Sequence, residues 1–435
     1  IETNGVTTSA ENIAKKDFVP AGMKIDRALA GQIAGLQVTR GSGMPGEGSY
    51  LNFRGVRSFV GNNAPLVVIN GIPHIPDVND SPLINGLSRN IFQAYNLQDI
   101  QNITILKGAE AALYGSMGAN GVILIETDGA NSDNMNTEIS YYGQFGINWN
   151  NKRMPLLNGI NYRSYLSDMG MSYFGNMDEF FTEFPFMSDP NNSKYANYYN
   201  NNTNWQDEIY RVAMGTDHNL SMTGALKNMP YRVSVGYTNQ NGTLKNNNYQ
   251  RLNASIGLSP KFFDKHLSVD INIKGSIEDE KPVSTSVIGS AVGFDPTRPV
   301  YQNYDGNVGL GYYMWMGVSN TPITLAASNP VSDLELADKQ NKTKRSIGNI
   351  ALDYKIHGFE DFRLNLNMGY DFLTEDKHDN MPDLAPAMYT GNEQDGTGKR
   401  YTYHNDKRNT LLDFYANYAK DFNDHNLNAM AGYGW

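Results

Sequence analysis

The stretch that decides the fold runs Phe362-Arg363-Leu364-Asn365-Leu366-Asn367-Met368-Gly369-Tyr370-Asp371-Phe372. An apolar side chain occupies every second position, and the positions between them are polar apart from one glycine. Because successive side chains of a β-strand point to opposite faces, the stretch predicts a strand with one apolar face and one polar face.

The same alternation recurs from residue 138 to the end of the chain. Leu267, Val269 and Ile271, for example, alternate with Ser268 and Asp270. The pattern predicts about nine antiparallel strands. They are expected at residues 138–149, 217–224, 230–238, 249–259, 266–276, 345–356, 361–372, 409–420 and 425–435.

The connections between these strands distinguish a membrane barrel from a soluble sandwich. Long connections lie at about 150–216, 277–344 and 373–408, and they alternate with short ones; the link at about 239–248 is a short exception. Transmembrane barrels alternate short periplasmic turns with long extracellular loops, whereas a sandwich has no reason to do so. The rhythm favours a barrel whose polar face lines the lumen.

The number of strands carries an expectation about the chain's extent. Nine is odd, and bacterial single-chain barrels have an even number of strands. An open sheet would also leave unpaired backbone groups in lipid, which hydrocarbon does not tolerate. We therefore expect further strands beyond Trp435.

Composition excludes several classes of protein. The chain has 435 residues and a mean hydropathy of −0.50, without an apolar run of about 20 residues, which excludes a helical membrane bundle. There is no cysteine for a disulfide or a thiolate metal site. The net charge of −10 argues against nucleic acid as a partner. No signal peptide is visible, so we expect a processed segment before Ile1 if the protein is secreted.

Residues 1–130 differ from the rest, since short strands, glycine turns and one or two helices predict a small mixed α/β domain there. Residues 131–435 then form the strand-rich domain. Gly41-Ser42-Gly43-Met44-Pro45-Gly46 formally matches the dinucleotide fingerprint GxGxxG, which requires a helix directly after it. Pro45 and a following strand at Tyr50–Phe53 favour a flexible loop instead.

No catalytic, cofactor or metal site is predicted. The seven histidines form no metal-binding pair, and the chain lacks a G-x-S-x-G nucleophile elbow. Asp376, Asp379 and Asp383 share one predicted loop, but they lack the spacing of an EF-hand. A solvated acidic loop is the simpler interpretation.

The long loops carry aromatic residues among amides, notably Tyr198, Trp205, Tyr312 and Trp315. Aromatic faces stack on sugar rings and amides bond to hydroxyls, so one interpretation is a glycan-binding surface. The other is a folded loop that simply buries its rings.

Four ordered motifs in residues 26–127 carry a family resemblance. One is Pro65-Leu66-Val67-Val68-Ile69-Asn70-Gly71-Ile72-Pro73, with Asn70 where the family usually has Asp. The others are Ala28–Val38, Gly43–Gly46 followed by Phe53–Gly55, and Asp99–Ile125, in which Gly108 and Met117 depart from the usual residues. Together they resemble the plug domain of the SusC/RagA family of TonB-dependent outer-membrane transporters of Bacteroidota.

The resemblance implies a plug at residues 1–130 inside a 22-stranded barrel, so about thirteen strands are expected beyond this chain. It also implies a TonB box upstream of Ile1 and a location in the bacterial outer membrane, in contact with its lipid. The implied partners are a SusD-like surface lipoprotein, the TonB–ExbB–ExbD complex and, potentially, a second SusCD pair in a dimer. Active import of oligosaccharide is the implied function. Peptide import and surface binding or adhesion without transport are the alternatives.

Candidate residues follow from these expectations. The candidates for ligand binding are Arg57, Asn62, Asn63, Tyr198, Trp205, Tyr312 and Trp315. The candidates for plug structure are Arg54, Gly55, Asn70, Gly71, Lys107, Tyr114, Gly115, Asn120 and Gly121. Lys107 and Glu110 are further expected to form ionic contacts with the barrel, with Asp270 or Arg363 as partners.

Overall fold

A computed structural model describes the protein at residues 11–15, 24–58, 63–74, 79–80, 88–89, 91–129, 136–183, 201–227, 229–316, 321–390, 395–422 and 425–435. The first part, up to residue 129, contains short strands and turns. Its elements are β1 (Glu11–Ala14), α1 (Ile25–Ala28), β2 (Leu36–Arg40), β3 (Ser49–Phe53), β4 (Leu66–Ile69), β5 (Ile72–His74), β6 (Asn79–Asp80), β7 (Ser88–Arg89), β8 (Ile100–Leu106) and β9 (Val122–Thr127). Tight 3₁₀ segments cover Ile91–Ala94, Leu97–Asp99 and Ala109–Asn120.

This part is the predicted small α/β domain, called the plug below. Its main sheet has the order β1-β8-β9-β4-β5, with β4 parallel to β9 and the other pairs antiparallel. Ile100, Ile103, Ile105, Ile123 and Ile125 are at most 1% exposed. Burying each such side chain contributes about 1.5–3 kcal/mol, so these strands hold the domain together.

Two local predictions for the plug are refined by the structure. The predicted helix near residues 28–36 is shorter and earlier, since α1 ends at Ala28 and turns follow it. The turn Asn70-Gly71 does connect β4 to β5, with φ of 49° and 82°. Two consecutive positive φ angles define a type I′ hairpin turn, which favours Asn followed by Gly.

The second part contains nine long strands and one short one, joined in part by helices. The strands are β10 (Glu138–Asn148), β11 (Ala213–Leu226), β12 (Met229–Asn241), β13 (Asn248–Leu258), β14 (Lys261–Phe262), β15 (Leu267–Lys281), β16 (Asp338–Lys355), β17 (Phe362–Met381), β18 (Lys399–Phe422) and β19 (His425–Gly434). The helices are α2 (Gly159–Phe174), α3 (Met177–Glu183), α4 (Trp205–Ile209), α5 (Ser286–Gly293) and α6 (Pro330–Glu335).

The nine long strands pair antiparallel in chain order and form a single sheet, called the wall below. The two-residue strand β14 pairs with β15 in the same sheet. All nine predicted strands are therefore confirmed. The short and long connections also alternate as predicted, and the helices lie in the long ones. None of the described helices is both long and apolar enough to cross a membrane.

The strands extend further than predicted at their long-loop ends. β16 begins at Asp338 instead of residue 345, β17 continues to Met381 instead of 372, and β18 begins at Lys399 instead of 409. The extensions carry polar side chains on both faces, such as Asp376 and Lys377. Without an apolar face there is no alternation to detect, although the ladder pairing continues.

The wall exposes apolar side chains on one face and covers polar side chains on the other, which is the reverse of a soluble protein. Register places Ile350, Met368 and Leu412 side by side on the outward face, where Ile350 and Met368 are 39% and 40% exposed. On the inward face, Asn219 and Asn253 are only 3% and 4% exposed. The apolar face is thus directed away from the plug and the polar face is covered.

We predict that charge is tolerated on one face of β17 and excluded from the other. Leu366→Arg places a cation on the outward face and should destabilise the bilayer-inserted protein by about 2–4 kcal/mol. The neighbouring change Asn365→Arg, on the inward face, is the matched control and should cost much less. Urea titration of the full-length protein in lipid vesicles measures both, and equal losses would contradict the assignment of faces.

Candidate functional site

The plug is seated on the inward face of the wall through buried charged groups. Arg232 of β12 donates a 2.7 Å hydrogen bond to Asp99 at the end of a 3₁₀ segment, and both side chains are about 5% exposed. Ser234 donates to the other carboxylate oxygen at 3.1 Å. A buried charge is tolerated only when it is paired and hydrogen-bonded, so these wall residues stabilise the plug carboxylate.

A second wall arginine holds the plug by its backbone. Arg251 of β13 donates to the carbonyl oxygens of Gln93 and Tyr95 at 2.7 and 3.1 Å. The amine of Lys274, on β15, lies 4.7 Å from the centre of the Tyr95 ring. Burial raises the pKa of the Tyr95 hydroxyl above its usual value. The ring that faces the Lys274 amine is therefore a neutral phenol.

A third contact joins the β4–β5 hairpin to β16 and β17. His74 Nδ1 lies 2.9 Å from Asp371 Oδ2, and Arg345 Nε donates to the same carboxylate at 2.8 Å. Burial lowers the pKa of His74, against the opposing effect of its hydrogen bond to Asp371. Ile347, an apolar residue on the inward face, joins the plug core beside this contact.

The expected ionic contact between Lys107 and the barrel is wrong. Lys107 does not reach the wall, because its amine pairs with Glu11 inside the plug and donates to the Ala34 carbonyl. Arg363 pairs with Asp353 on the adjacent wall strand. Lys107 is expected to supply a cation from the plug. In the observed pair the cation, Arg232, belongs to the wall and the carboxylate, Asp99, belongs to the plug.

At the long-loop end, the plug reaches a second cluster of buried residues. Met44 in the Gly41–Gly48 loop packs with Trp205, Val283, Phe294 and other apolar residues of the long connections. We call this cluster the loop module. Helix α4 of one long connection and helices α5 and α6 of another contribute to it, together with Leu244 of the β12–β13 connection. These connections therefore pack into one body above the wall.

Gly46 shows how closely the plug loop approaches the wall. Its φ is +82°, and a Cβ atom there would lie 2.8 Å from both the Glu280 carboxylate and the Tyr249 ring. The Gly46 carbonyl accepts a hydrogen bond from Gln93, and the neighbouring Glu47 carbonyl accepts one from Lys24 at 2.6 Å. Burial lowers the pKa of Lys24 to about 8. Only glycine fits this position without displacing the wall or the loop.

Three of the four predicted aromatic residues, Trp205, Tyr312 and Trp315, belong to the loop module or pack against it. Trp205 is 2% exposed and donates its indole N–H to the Asp295 carbonyl at 2.9 Å. Tyr312 is 9% exposed and donates to Glu335 at 2.6 Å. Trp315 is half-buried, with the Arg298 guanidinium 4.7 Å from its ring. Burial favours the interpretation that Trp205 and Tyr312 support the fold of the loops.

A cavity of about 510 Å³ opens beside this cluster. Tyr162 lies half-buried at its margin, with Asn158, Asn202, Asn204 and Phe294 among the other lining residues. Sequence reasoning missed Tyr162, because only the fold of α2 brings it to the residues around 202 and 294. The volume lies within the range of small-molecule sites, about 300–1,000 Å³.

Two further ligand candidates, Arg57 and Asn63, lie in the plug and are not among the residues that line this cavity. Asn63 accepts hydrogen bonds from the Arg57 and Ser58 amides at 2.8 Å, and Arg57 donates to the Ala119 carbonyl at 3.3 Å. A cavity of about 350 Å³ brings together Arg54, Arg57, Lys107, Gly115, Asn120 and Gly121. Asn62 and Tyr198 lie outside the described residues.

The structural candidates of the plug occupy turns and packing positions. Arg54 and Gly55 have φ of 57° and 84° directly after β3. The Asn70 side chain accepts a 3.1 Å hydrogen bond from the Thr127 amide, and so joins the end of β4 to the end of β9. Tyr114 packs against the buried cluster around Leu66. Within the described ranges, no group of three or more His, Asp or Glu residues is arranged to hold a metal ion.

Comparison with known proteins agrees with this geometry. A family model for the TonB-dependent receptor plug domain matches residues 3–122. The TonB-dependent receptor SusC of Bacteroides thetaiotaomicron is 32% identical over 443 residues, which cover 99% of this chain and 39% of SusC. The RagAB peptide transporter has the same fold, with a TM-score of 0.76 at 18% identity over 99% of this chain and 47% of that one. The chain carries the plug domain of TonB-dependent receptors and resembles SusC over nearly its whole length.

Other family relatives show the same partial overlap. The TonB-dependent receptor P26 of Formosa agariphila is 30% identical over 356 residues, or 80% of this chain and 32% of P26. The chain thus spans about two fifths or less of the curated relatives it matches. Like these receptors, it is an outer-membrane β-barrel protein, which accounts for the apolar outward face of the wall.

We predict that the buried pair between plug and wall matters far more than an exposed pair within the wall. Arg232→Ala leaves Asp99 buried without its cation and should destabilise the seated plug by about 3–5 kcal/mol. Arg363→Ala, which breaks the exposed pair with Asp353, should cost less than about 1 kcal/mol. Hydrogen exchange of the β8 amides in the full-length protein reports the difference, and similar protection in both variants would refute it.

We also predict a pH dependence of the loop module. Burial raises the pKa of Asp333 on α6 from 3.8 to about 6, although Ser328 donates a 2.6 Å hydrogen bond to it. The folded loops bind this proton more tightly than unfolded ones, so their stability falls as pH rises from about 4 to 6. Hydrogen exchange of α6 at pH 4 and 7 measures the change. Asp333→Asn should remove most of it, and an unchanged pH profile in that variant would exclude Asp333 as the cause.

Proposed function

We propose that the protein imports oligosaccharide across the outer membrane by TonB-dependent transport. The proposal rests on one observation. The plug covers the polar inward face of the wall, and its Gly41–Gly48 loop packs against the loop module. A plug held in this way blocks passive diffusion, so cargo passes only when the plug moves. Transport of this kind needs no covalent chemistry, and we assign the protein no enzymatic activity.

The partners and domain limits form part of the proposal. The plug is assigned to residues 1–130 and the barrel to 131–435. We assign the energy input to the TonB–ExbB–ExbD complex acting on the plug from the periplasm, and the capping of the loops to a SusD-like lipoprotein. Two such pairs are proposed to associate as a dimer. The identity to SusC over nearly the whole chain supports this assembly more strongly than any single contact.

Two observations support glycan as the cargo. The resemblance of the plug motifs to the SusC/RagA family implies oligosaccharide as the usual cargo. The cavity beside Tyr162 also presents one half-buried aromatic ring among the amides of Asn158, Asn202 and Asn204. An aromatic face packs on the C–H face of a sugar and amides bond to its hydroxyls. We therefore place the first contact with glycan in this cavity, with Arg57 and Asn63 of the plug as later contacts.

Peptide import is the second candidate. It is favoured by the fold shared with the RagAB peptide transporter over 99% of this chain. Peptides need backbone hydrogen bonds and charged ends to be recognised, and the cations Arg54 and Arg57 in the plug provide a place for a carboxylate. The two candidates differ in cargo and not in mechanism.

The cargo is tested by purifying the full-length protein with its associated lipoprotein from native membranes and analysing bound ligand by native mass spectrometry. We expect masses spaced by a sugar residue. A bound peptide without sugar would replace the first candidate by the second. Undiminished uptake of labelled oligosaccharide after loss of TonB would contradict energised import.

The cavity is tested by a pair of tyrosines on α2. Tyr162→Ala should weaken glycan binding roughly two- to tenfold, the range of an aromatic contact. Tyr173→Ala is the control, because Tyr173 lies on the same helix but is 85% exposed. Binding is measured by calorimetry with the purified full-length complex. Equal effects of the two changes would remove the cavity from the proposal.

A further inference from the structure

The cavity beside Tyr162 is lined by asparagines whose side-chain orientations are fixed by hydrogen bonds within the chain. Asn158 Oδ1 accepts from the Asn161 amide at 2.8 Å, and Asn202 Oδ1 accepts from the Gly159 amide at 2.6 Å. A backbone N–H can be met only by the oxygen of a side-chain amide, so each of these asparagines keeps its NH₂ group for another partner. The cavity therefore offers hydrogen-bond donors on this side.

Asn204, two residues beyond Asn202, presents the opposite end of its side-chain amide. Its Nδ2 donates to Asp207 Oδ2 at 2.6 Å, and an ionised carboxylate only accepts, so this orientation is also fixed. Although Asn204 directly precedes α4, its side-chain oxygen makes no capping hydrogen bond to that helix. Asn204 Oδ1 is therefore an acceptor in the same cavity as the two NH₂ groups.

Apolar side chains lie in the same cavity as these amides. Met154, Leu156 and Leu157 line it and remain exposed, whereas Phe294 is buried. Burial of exposed apolar surface is favourable, so these side chains would gain from a ligand that brings a small apolar group together with its polar ones.

The cavity offers no unpaired charge to a ligand. Among the described residues that line it, Arg153 is the only charged one, and its guanidinium is paired with Asp207. The Asp207 carboxylate thus fixes the Asn204 amide and compensates the nearby cation. A charged ligand would lose hydration here without gaining a free counter-charge, so the cavity favours a neutral polar ligand.

We propose that this cavity recognises an N-acetylated sugar by its acetamido group. The NH₂ groups of Asn158 and Asn202 match the acetamido carbonyl, Asn204 Oδ1 matches its N–H, and the exposed leucines match its methyl group. Tyr162 provides the ring on which the sugar itself packs. The inference rests on the proposed import of oligosaccharide and specifies the class of sugar.

A peptide backbone also carries a secondary amide, with the same carbonyl and N–H. Peptides additionally bring charged ends, and the described lining of the cavity has no unpaired charge to receive them. The aromatic ring of Tyr162 adds a surface suited to a sugar. These two features favour the N-acetylated sugar over the peptide.

The class of sugar is tested with two ligands that differ only in the group at issue. Chitotetraose and cellotetraose share one β-linked backbone, but each ring of chitotetraose carries an acetamido group where cellotetraose has a hydroxyl. Affinity is measured by calorimetry with the purified full-length protein, separated from its lipoprotein so that the partner cannot supply the preference. We expect chitotetraose to bind about tenfold more tightly, the effect of about two hydrogen bonds and a buried methyl group. Equal affinities, or no binding of chitotetraose, would overturn the inference.

The acceptor is tested by Asn204→Ala. The matched control is Asn151→Ala, because Asn151 is an exposed asparagine of the same connection that is not among the lining residues. Asn204→Ala should weaken chitotetraose binding about fivefold, as expected for one lost hydrogen bond, while the control changes it less than about twofold. Unchanged chitotetraose affinity in Asn204→Ala would overturn the assignment of the acceptor. The comparison of the two sugars on the wild type does not depend on the folding of either variant.

Failure of this inference is distinguishable from failure of the import proposal. Tetra-alanine blocked at both ends is the peptide probe, and tighter binding of this probe than of chitotetraose would assign the cavity to peptide and overturn the inference. Bound sugars without acetyl groups, found by native mass spectrometry, would overturn the acetamido assignment but leave glycan import intact. Uptake that continues without TonB would contradict energised import but leave the binding preference intact.

Discussion

The structure depends on one constraint, which is that a strand with an apolar outward face must direct its polar residues to the interior. Side chains alternate along a strand, so the nine strands of the wall bring Arg232, Arg251, Lys274 and many amides to the same inward surface. Charged groups cannot be covered by apolar atoms without a large loss of hydration. The plug is therefore obliged to present carboxylates, carbonyls and aromatic rings to the wall, and its Asp99, Gln93 and Tyr95 do so.

These contacts hold different parts of the plug with different strength. Asp99 and the β4–β5 hairpin are anchored by buried pairs, and Met44 is packed into the loop module. The edge strand β1 is held by a short ladder and by ion pairs that are partly exposed. The buried pairs therefore contribute more to holding the plug on the wall than the partly exposed pairs at β1 contribute to holding that strand.

The loop module is linked to the plug through Met44, and the Met44 loop is held by the hydrogen bond that Lys24 donates to the Glu47 carbonyl. Lys24 directly precedes α1. Packing and this hydrogen bond thus connect the long loops to the first helix of the plug. In the proposed import function, this connection would link capture of cargo to movement of the plug.

The sequence by itself determined the class of the fold, the nine strands, the rhythm of their connections and the family of the plug. It did so because the period of two and the short motifs are local properties. Strand ends beyond the apolar band were missed, since polar residues on both faces of β16, β17 and β18 leave no alternation to read. The Asn70-Gly71 turn was predictable, but the role of Lys107 was not, because its partner Glu11 is 96 residues away in the chain.

The residues that meet across the interior could not be predicted from the sequence. Arg232 and Asp99 are 133 residues apart, and their contact follows from how the plug sits within the wall. The same holds for Tyr162, which α2 carries to the residues around 202 and 294, and for the pair of Lys15 and Asp128 within the plug. The alternation of apolar and polar residues predicts that a residue faces inward. It does not predict where along the barrel axis the residue lies or which plug residue faces it. Those are set by the packing of two separately folded parts, and packing between distant segments leaves no periodic signal in a single sequence.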